Sequence, residues 1–287
     1  MFETPLREEI DGALREYGAE RVAVALYDYQ TQTGWSCRAE HWFHAASTIK
    51  IAVLAGVFSM IHEDRLSEFA RLHVRNYFRS AADGSPFRVD SARDADPVVH
   101  RNIGKTMRIQ ELALHMIATS SNLATNLLLD YTGVERCRAA LHELGAATGV
   151  ELVRGVEDEK AFEAGISNRT TAAGLLQLLR VIAEKRAFSE EHSERMLDIL
   201  HAQEFDSGIP AGLPDDAEVA HKTGEISTVT HDAGVVFLPE RKPYVLVILT
   251  EYPPEAESSH AERRAGLARV SRLIHDLLAA NGEVKGG

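Results

Sequence analysis

The β-forming segments of this chain sit at its two ends, and the stretch between them is helical in pattern. Residues 21–29 (RVAVALYDY) are β-branched and apolar, and residues 34–38 follow across a Thr31-Gln32-Thr33-Gly34 turn as a hairpin partner. The next strand signals come only at 219–222, 233–238 and 244–251. A strand pair alone is at best marginal in water, so the two groups are expected to join in one antiparallel sheet. Helices flank them. Leu6, Ile10, Leu14 and Tyr17 share a face behind a Thr4-Pro5 start, with Gly18 as the stop. Leu267, Val270, Ile274 and Leu277 line a last helix over 259–280, ended by Asn281-Gly282. The expected fold is α+β: an antiparallel sheet with its terminal helices, residues 1–46 and 212–287, and an inserted all-helical lobe, 47–211. A cleft between two lobes is the usual place for a site.

Within the insertion the period is helical from 47 to about 66. A long polar loop is expected over 80–105, marked by Asp83-Gly84, Ser85-Pro86 and Asp96-Pro97. Ile109, Leu112, Ala113, Met116 and Ile117 give a helix that breaks at 119–122, and a buried helix covers 123–131. A short helix over 138–144 stops at Gly145. Residues 151–168 lack periodicity and read as a loop. Thr170 or Thr171 caps a helix containing Leu175, Leu176, Leu179 and Ile182, and Ser189 caps one containing Met196, Leu197 and Leu200. Trp35 and Trp42 are expected in the core or on a cleft wall.

Composition narrows the function. The chain carries 31 Lys+Arg against 43 Asp+Glu, a net charge of −12. Nucleic acid and anionic membrane both require basic patches, so neither is expected as a partner. No apolar run reaches the roughly 18 residues of a membrane span. No apolar segment opens the chain as given, which reads as cytoplasmic, or as extracytoplasmic if a leader has been removed. Cys37 and Cys137 are expected to be free thiols. His41-x-x-His44 is too sparse for zinc, and Gly145-Ala146-Ala147-Thr148-Gly149 reads as a turn, so no metal or cofactor is expected.

Three short motifs carry chemistry. Ser47-x-x-Lys50 starts a helix, and its spacing puts both side chains on one face. A serine hydroxyl becomes a nucleophile when a neighbour takes its proton, and Lys50 can do so only when neutral. Chance alone supplies about 0.4 such motifs in a chain of this composition. Ser120-Ser121-Asn122 lies in the break between helices. Ser120 can pass a proton to a leaving group, and Asn122 can hold Lys50 or a substrate amide. Lys222-Thr223-Gly224 ends a strand. There Lys222 and Thr223 can receive a carboxylate, and Gly224 admits close approach to the backbone. Chance supplies only about 0.03 such triplets, which makes this the sharpest of the three.

The ordered set resembles the penicillin-recognising serine enzymes, class A β-lactamases most closely. Residues 115–129 (HMIATSSNLATNLLL) and 230–236 (THDAGVV) support it. The resemblance implies a β-lactamase/D,D-peptidase-like fold and a serine hydrolase that forms a covalent acyl-enzyme from a β-lactam or D-alanyl substrate. It implies Ser47 as nucleophile, Lys50 as base or base partner and Ser120 as proton relay. Asn122, Lys222, Thr223 and Gly224 would bind substrate, and the backbone N–H of Ser47 and Glu225 would form the oxyanion hole. There are two departures. Ser121 stands where the family usually has Asp, and 154–168 lacks the Glu-x-x-Leu-Asn that positions a deacylating water. Glu157, Asp158, Glu159 and Glu163 are acidic candidates there, each expected to be a solvated loop charge. A D,D-peptidase-like or esterase-like enzyme, or a non-catalytic ligand-binding sensor, is the alternative reading.

Overall fold

The computed structural model describes residues 3–283. Its main elements in chain order are α1 (Glu3–Arg15), β1 (Arg21–Asp28), β2 (Thr33–Cys37), α2 (Lys50–His62), α3 (Ile109–Ala118), α4 (Asn122–Thr132), α5 (Val134–Glu143), α6 (Ala172–Ala183), α7 (Glu190–His201), β3 (Glu218–Ile226), β4 (Val229–Phe237), β5 (Tyr244–Glu251) and α8 (His260–Glu283). The strands of the two chain ends do pair. They form one antiparallel sheet in the order β3-β4-β5-β1-β2, with Val24 opposite Ile248 at the seam.

Period-two alternation sorts the sheet's side chains between two cores. Val22, Val24 and Leu26 of β1 and Tyr244, Leu246 and Ile248 of β5 pack with Ile10, Leu14, Val270 and Ile274 of α1 and α8. The residues between them, Ala23, Ala25, Val245, Val247 and Leu249, face the helices of the insertion. Helix α2 is the centre of that second core. Every residue from Lys50 to Met60 is buried, the pattern of a helix surrounded by protein on all sides.

Several expectations are corrected. The insertion is not all helical. Phe78–Arg79 pairs with Pro86–Phe87, Arg71–His73 with Thr106–Arg108, and Arg169–Thr170 sits between Phe43–His44 and Val150–Glu151. Asp96-Pro97 is a helix start rather than a turn: Asp96 caps Pro97–Arg101 by accepting the Val98 N–H at 2.7 Å. Helix α5 begins four residues before the expected 138, directly after Gly133, whose φ of 85° breaks the chain from α4. The 151–168 loop contains the short helix Glu159–Glu163, capped by Asp158. Helix α1 begins at Glu3, ahead of Thr4-Pro5, and α8 runs through Asn281-Gly282. Near a helix end, one glycine costs only about 1 kcal/mol and does not by itself impose a stop. Trp35 packs against the core. Trp42 is on the surface instead, 38% exposed, with the Arg169 guanidinium over its ring at 5.2 Å. Cys37 and Cys137 are free and buried. No described helix is long and apolar enough to cross a membrane.

Helix α2 is held by close contact with α5. A Cβ on Gly56 would stand 2.4 Å from Cys137 Sγ and 3.0 Å from its Cα. Gly56→Ala is therefore expected to destabilise the fold by about 1–3 kcal/mol, the usual overpacking cost. Adding Cys137→Ala should recover part of this but not all, because the backbone contact remains. A urea-unfolding double-mutant cycle measures the coupling, and additive losses would show that the two residues do not touch.

Candidate active site

Ser47 lies in a 3₁₀ turn, Ala46–Ile49, that leads into α2. Thr48 closes the turn on the Ala45 carbonyl, through its N–H at 3.1 Å and its hydroxyl at 2.6 Å. Strand β3 runs against this turn. A Cβ at Gly224 would be 3.2 Å from Ser47 N and 3.1 Å from Thr48 N, so glycine is what lets the strand edge approach the backbone of Ser47.

Lys50, one turn on, is completely buried. Its ammonium donates to Ser120 O at 2.7 Å, Ser120 Oγ at 2.9 Å and Asn122 Oδ1 at 2.8 Å. Those are all three donors of an ammonium group. Burial lowers the Lys50 pKa to about 7, against the opposing charges of Asp94 and Glu157. A neutral amine, able to accept a proton, is thus accessible near neutrality.

Asn122 faces two ways. Its carbonyl receives Lys50, and its Nδ2 donates to Glu157 Oε1 at 2.5 Å. Glu157 also accepts the Asp90 N–H through Oε2 at 3.1 Å. It is therefore a positioned group of the cleft, not the solvated charge expected. Asp158 is not solvated either. It is buried and accepts from Ser80 Oγ and Ala81 N, both at 2.7 Å, tying its loop to the neighbouring hairpin. Glu159 and Glu163 are exposed, as expected. The base of the loop is closed by Asn168, whose Oδ1 accepts Val153 N and Arg154 N and whose Nδ2 donates to Arg154 O.

The carboxylate missing from position 121 arrives from elsewhere. Asp94 accepts Asn122 N at 3.1 Å and Leu123 N at 2.9 Å, while Ser121 caps α4 through Ala124 N. An anion at that helix start is well placed.

Lys222 is also fully buried, and among the described residues its Nζ reaches only its neighbour, Thr223 O at 3.1 Å and Oγ1 at 3.5 Å. Burial and the charge of Lys50 hold its pKa well below the usual lysine value, with Asp232 opposing. Beneath it lies a buried pair, His221 Nδ1 to Asp232 Oδ1 at 2.8 Å, and Asp232 Oδ2 accepts Ile209 N at 2.8 Å. Burial alone would lower the His221 pKa, but Asp232 and Asp206 raise it to about 9. His44, three residues before Ser47, accepts Ala46 N at Nδ1, and burial with the Arg154 charge lowers its pKa to about 4.

All eight sequence-selected residues meet here. Ser47, Ser120, Asn122, Thr223, Gly224 and Glu225 line one hollow of about 300 Å³, and Lys50 and Lys222 stand behind that lining, bonded to Ser120 and Thr223. A second hollow of about 610 Å³ shares Ser47, Arg93, Asn122 and Glu225 and adds His44, Glu157 and Phe162. Reading the sequence missed Asp94, Arg93 and Arg264, which carry no local motif, weighed His44 only as a zinc ligand, and did not single out Glu157 among four acids. Backbone strain is present here too. Three of the nine described non-glycine residues with left-handed φ are Ala46 (45°), Ser120 (58°) and Glu157 (57°). Such conformations cost on the order of 1–3 kcal/mol each and persist where surroundings enforce them. No described group of three or more His, Cys, Asp or Glu is arranged for a metal.

Residues 5–278 match the model of the β-lactamase enzyme family. A Bacillus licheniformis β-lactamase is 28% identical over 94% of this chain and 83% of the relative. A match at 26% identity to a Bacteroides uniformis β-lactamase covers 60% of this chain and 61% of that relative. Among solved structures, a variant of the class A β-lactamase of the last common ancestor of Gram-negative bacteria superposes with TM-score 0.82 at 25% identity, over 97% of this chain and 100% of that one. PBP-A superposes with TM-score 0.79 at 24% identity, over 96% and 97%.

The buried amine of Lys50 is expected to titrate near 7, visible by NMR of ¹³Cε-labelled lysine. Because Asp94 and Glu157 raise its pKa, Asp94→Asn and Glu157→Gln should each lower it further. A value near 10 in the folded protein, or no movement in either variant, would contradict this geometry.

Proposed function

Because the chain belongs to the β-lactamase enzyme family, we propose that it hydrolyses the β-lactam amide through an acyl-enzyme on Ser47, with Glu157 directing the water that releases it. The observation that carries this reading is the Asn122 bridge. One amide holds Lys50 on one side and Glu157 on the other, so base, relay and water-directing acid share one frame.

The steps follow from the groups present. Ser47 Oγ attacks the lactam carbonyl while Lys50, in its neutral form, takes the hydroxyl proton. The carbonyl oxygen becomes anionic and is met by the backbone N–H groups of Ser47 and Glu225, a reading supported by the close approach of Gly224 to Ser47 N. As the C–N bond breaks, the Ser120 hydroxyl gives its proton to the leaving nitrogen and is refilled from Lys50 at 2.9 Å. Lys222 and Thr223 receive the substrate carboxylate. In the second half, Glu157 takes a proton from water, which attacks the ester, and the proton returns to Ser47. The place of Glu157 favours turnover over a permanently acylated sensor. D-alanyl peptides and esters present the same carbonyl chemistry and belong in the test panel.

Intact-mass spectrometry with benzylpenicillin is expected to show one acyl group on the wild type that clears with time. Ser47→Ala should show none. Glu157→Gln should acylate and then hold the adduct, with deacylation slowed roughly 10²- to 10⁴-fold. Clearance at the wild-type rate in Glu157→Gln would remove Glu157 from the mechanism.

The acylation rate is expected to rise with pH through about 7 and then level off, because only the neutral amine of Lys50 accepts the proton. Lys50→Ala should lose that limb along with roughly 10²- to 10⁴-fold in acylation rate. Stopped-flow profiles decide this. An acid limb unchanged in Lys50→Ala would assign the titration to another group.

A further inference from the structure

Beyond Lys222 and Thr223, the carboxylate end of the cleft contains two charges that face each other without bonding. Glu225 stands two residues after Thr223 on β3, so the strand alternation puts both side chains on one face. Both line the hollow that contains Ser47, and so does Arg264 from α8. Glu225 Oε2 lies 3.8 Å from Arg264 Nε, within ion-pair range but too far for a hydrogen bond. Each of those two atoms is buried and has no hydrogen-bond partner among the described residues. The other Glu225 oxygen lies 3.3 Å from His260 Nδ1. The adjacent Arg263 is engaged elsewhere, donating to Ser258 Oγ and Ser227 O and lying over Tyr252. A guanidinium is built to grip a carboxylate with two parallel N–H bonds, and Arg264 has that fork unfilled.

We propose that Glu225 and Arg264 act as a charge filter on substrates at this end of the cleft. The Glu225 side chain repels a second carboxylate at Lys222 and Thr223 and holds Arg264 by charge alone. An acyl donor bearing a carboxylate must draw Arg264 away from Glu225, whereas a donor that is neutral at this position enters unopposed. Glu225 thus has two separate functions: its N–H serves the oxyanion and its side chain sets charge preference. The arrangement weakens selection for the carboxylate that Lys222 and Thr223 receive, so acyl donors neutral at this position are accepted alongside carboxylate-bearing ones. The inference rests on the acyl-transfer reading above for its substrates, but its test does not require turnover.

The test compares benzylpenicillin with its methyl ester, which differ by that one charge. Binding of each to the Ser47→Ala protein is measured by calorimetry, with Glu225→Gln, with Arg264→Gln and with both. Two unit charges about 7 Å apart in a partly solvated cleft correspond to roughly a 3- to 30-fold effect. Glu225→Gln is therefore expected to raise the preference for the acid over the ester by about that factor. Arg264→Gln should lower it, and the double variant should lose most of the gain. Arg264 is more than a third exposed on its side chain, so its variant gives a reading even if Glu225→Gln folds poorly. A preference unchanged in both single variants, or no binding of either compound, overturns the filter. The acylation rates of the same pair on proteins retaining Ser47 separate the two ideas. A shifted binding preference with no acyl adduct on Ser47 sinks the acyl-transfer reading and leaves the filter standing.

Discussion

An ammonium group with no exposed surface, at the start of an otherwise apolar helix, is the constraint around which this molecule is arranged. Burying Lys50 is unfavourable by several kcal/mol unless its donors are met. The protein meets all three, with two oxygens of Ser120 and one of Asn122. Those acceptors stand in the break between α3 and α4, so the lysine pins a second part of the insertion to the start of α2. Asn122 then extends the connection to Glu157 and its loop. The cost of burial is also what makes the group useful. The same desolvation that opposes charge brings the neutral amine within reach at physiological pH.

The approach of β3 to Ser47 is the second half of the arrangement. It depends on the absence of one methyl group at Gly224, and on the buried His221–Asp232 pair that secures β3 against β4. The left-handed backbone at Ala46, Ser120 and Glu157 occurs on three separate segments that meet in the cleft. Each would relax if its segment were free. The packed helices on one side and the sheet on the other hold them, which is why a site assembled from loops can be rigid.

Much of the fold was legible because it follows local periodicity. The alternation in β1 and β5 and the continuous apolar run of α2 each describe their own surroundings. The expectations that failed did so where a signal has two meanings. Asp96-Pro97 is equally a turn and a helix start, and the difference is whether the following residues find a core; Val99 does. The small strand pairs of the insertion are two or three residues long, too short for alternation to register.

The site divides along the same line. The sequence by itself picked out the residues for which acyl-transfer chemistry is proposed, because Ser47-x-x-Lys50 and Lys222-Thr223-Gly224 are spacings whose geometry is set by one helical turn and one strand end. It could not separate Glu157 from Asp158, Glu159 and Glu163, which are four acids in one stretch with no period. Only the tertiary structure decided that one reaches Asn122, one anchors a hairpin, and two face water. It alone brought Asp94 to the start of α4 and Arg264 to the side chain of Glu225. The physical reason is range. Periodicity reports on neighbours a few residues away along the chain, whereas hydrogen bonds and charge pairs act over a few ångströms through space between residues far apart in the chain.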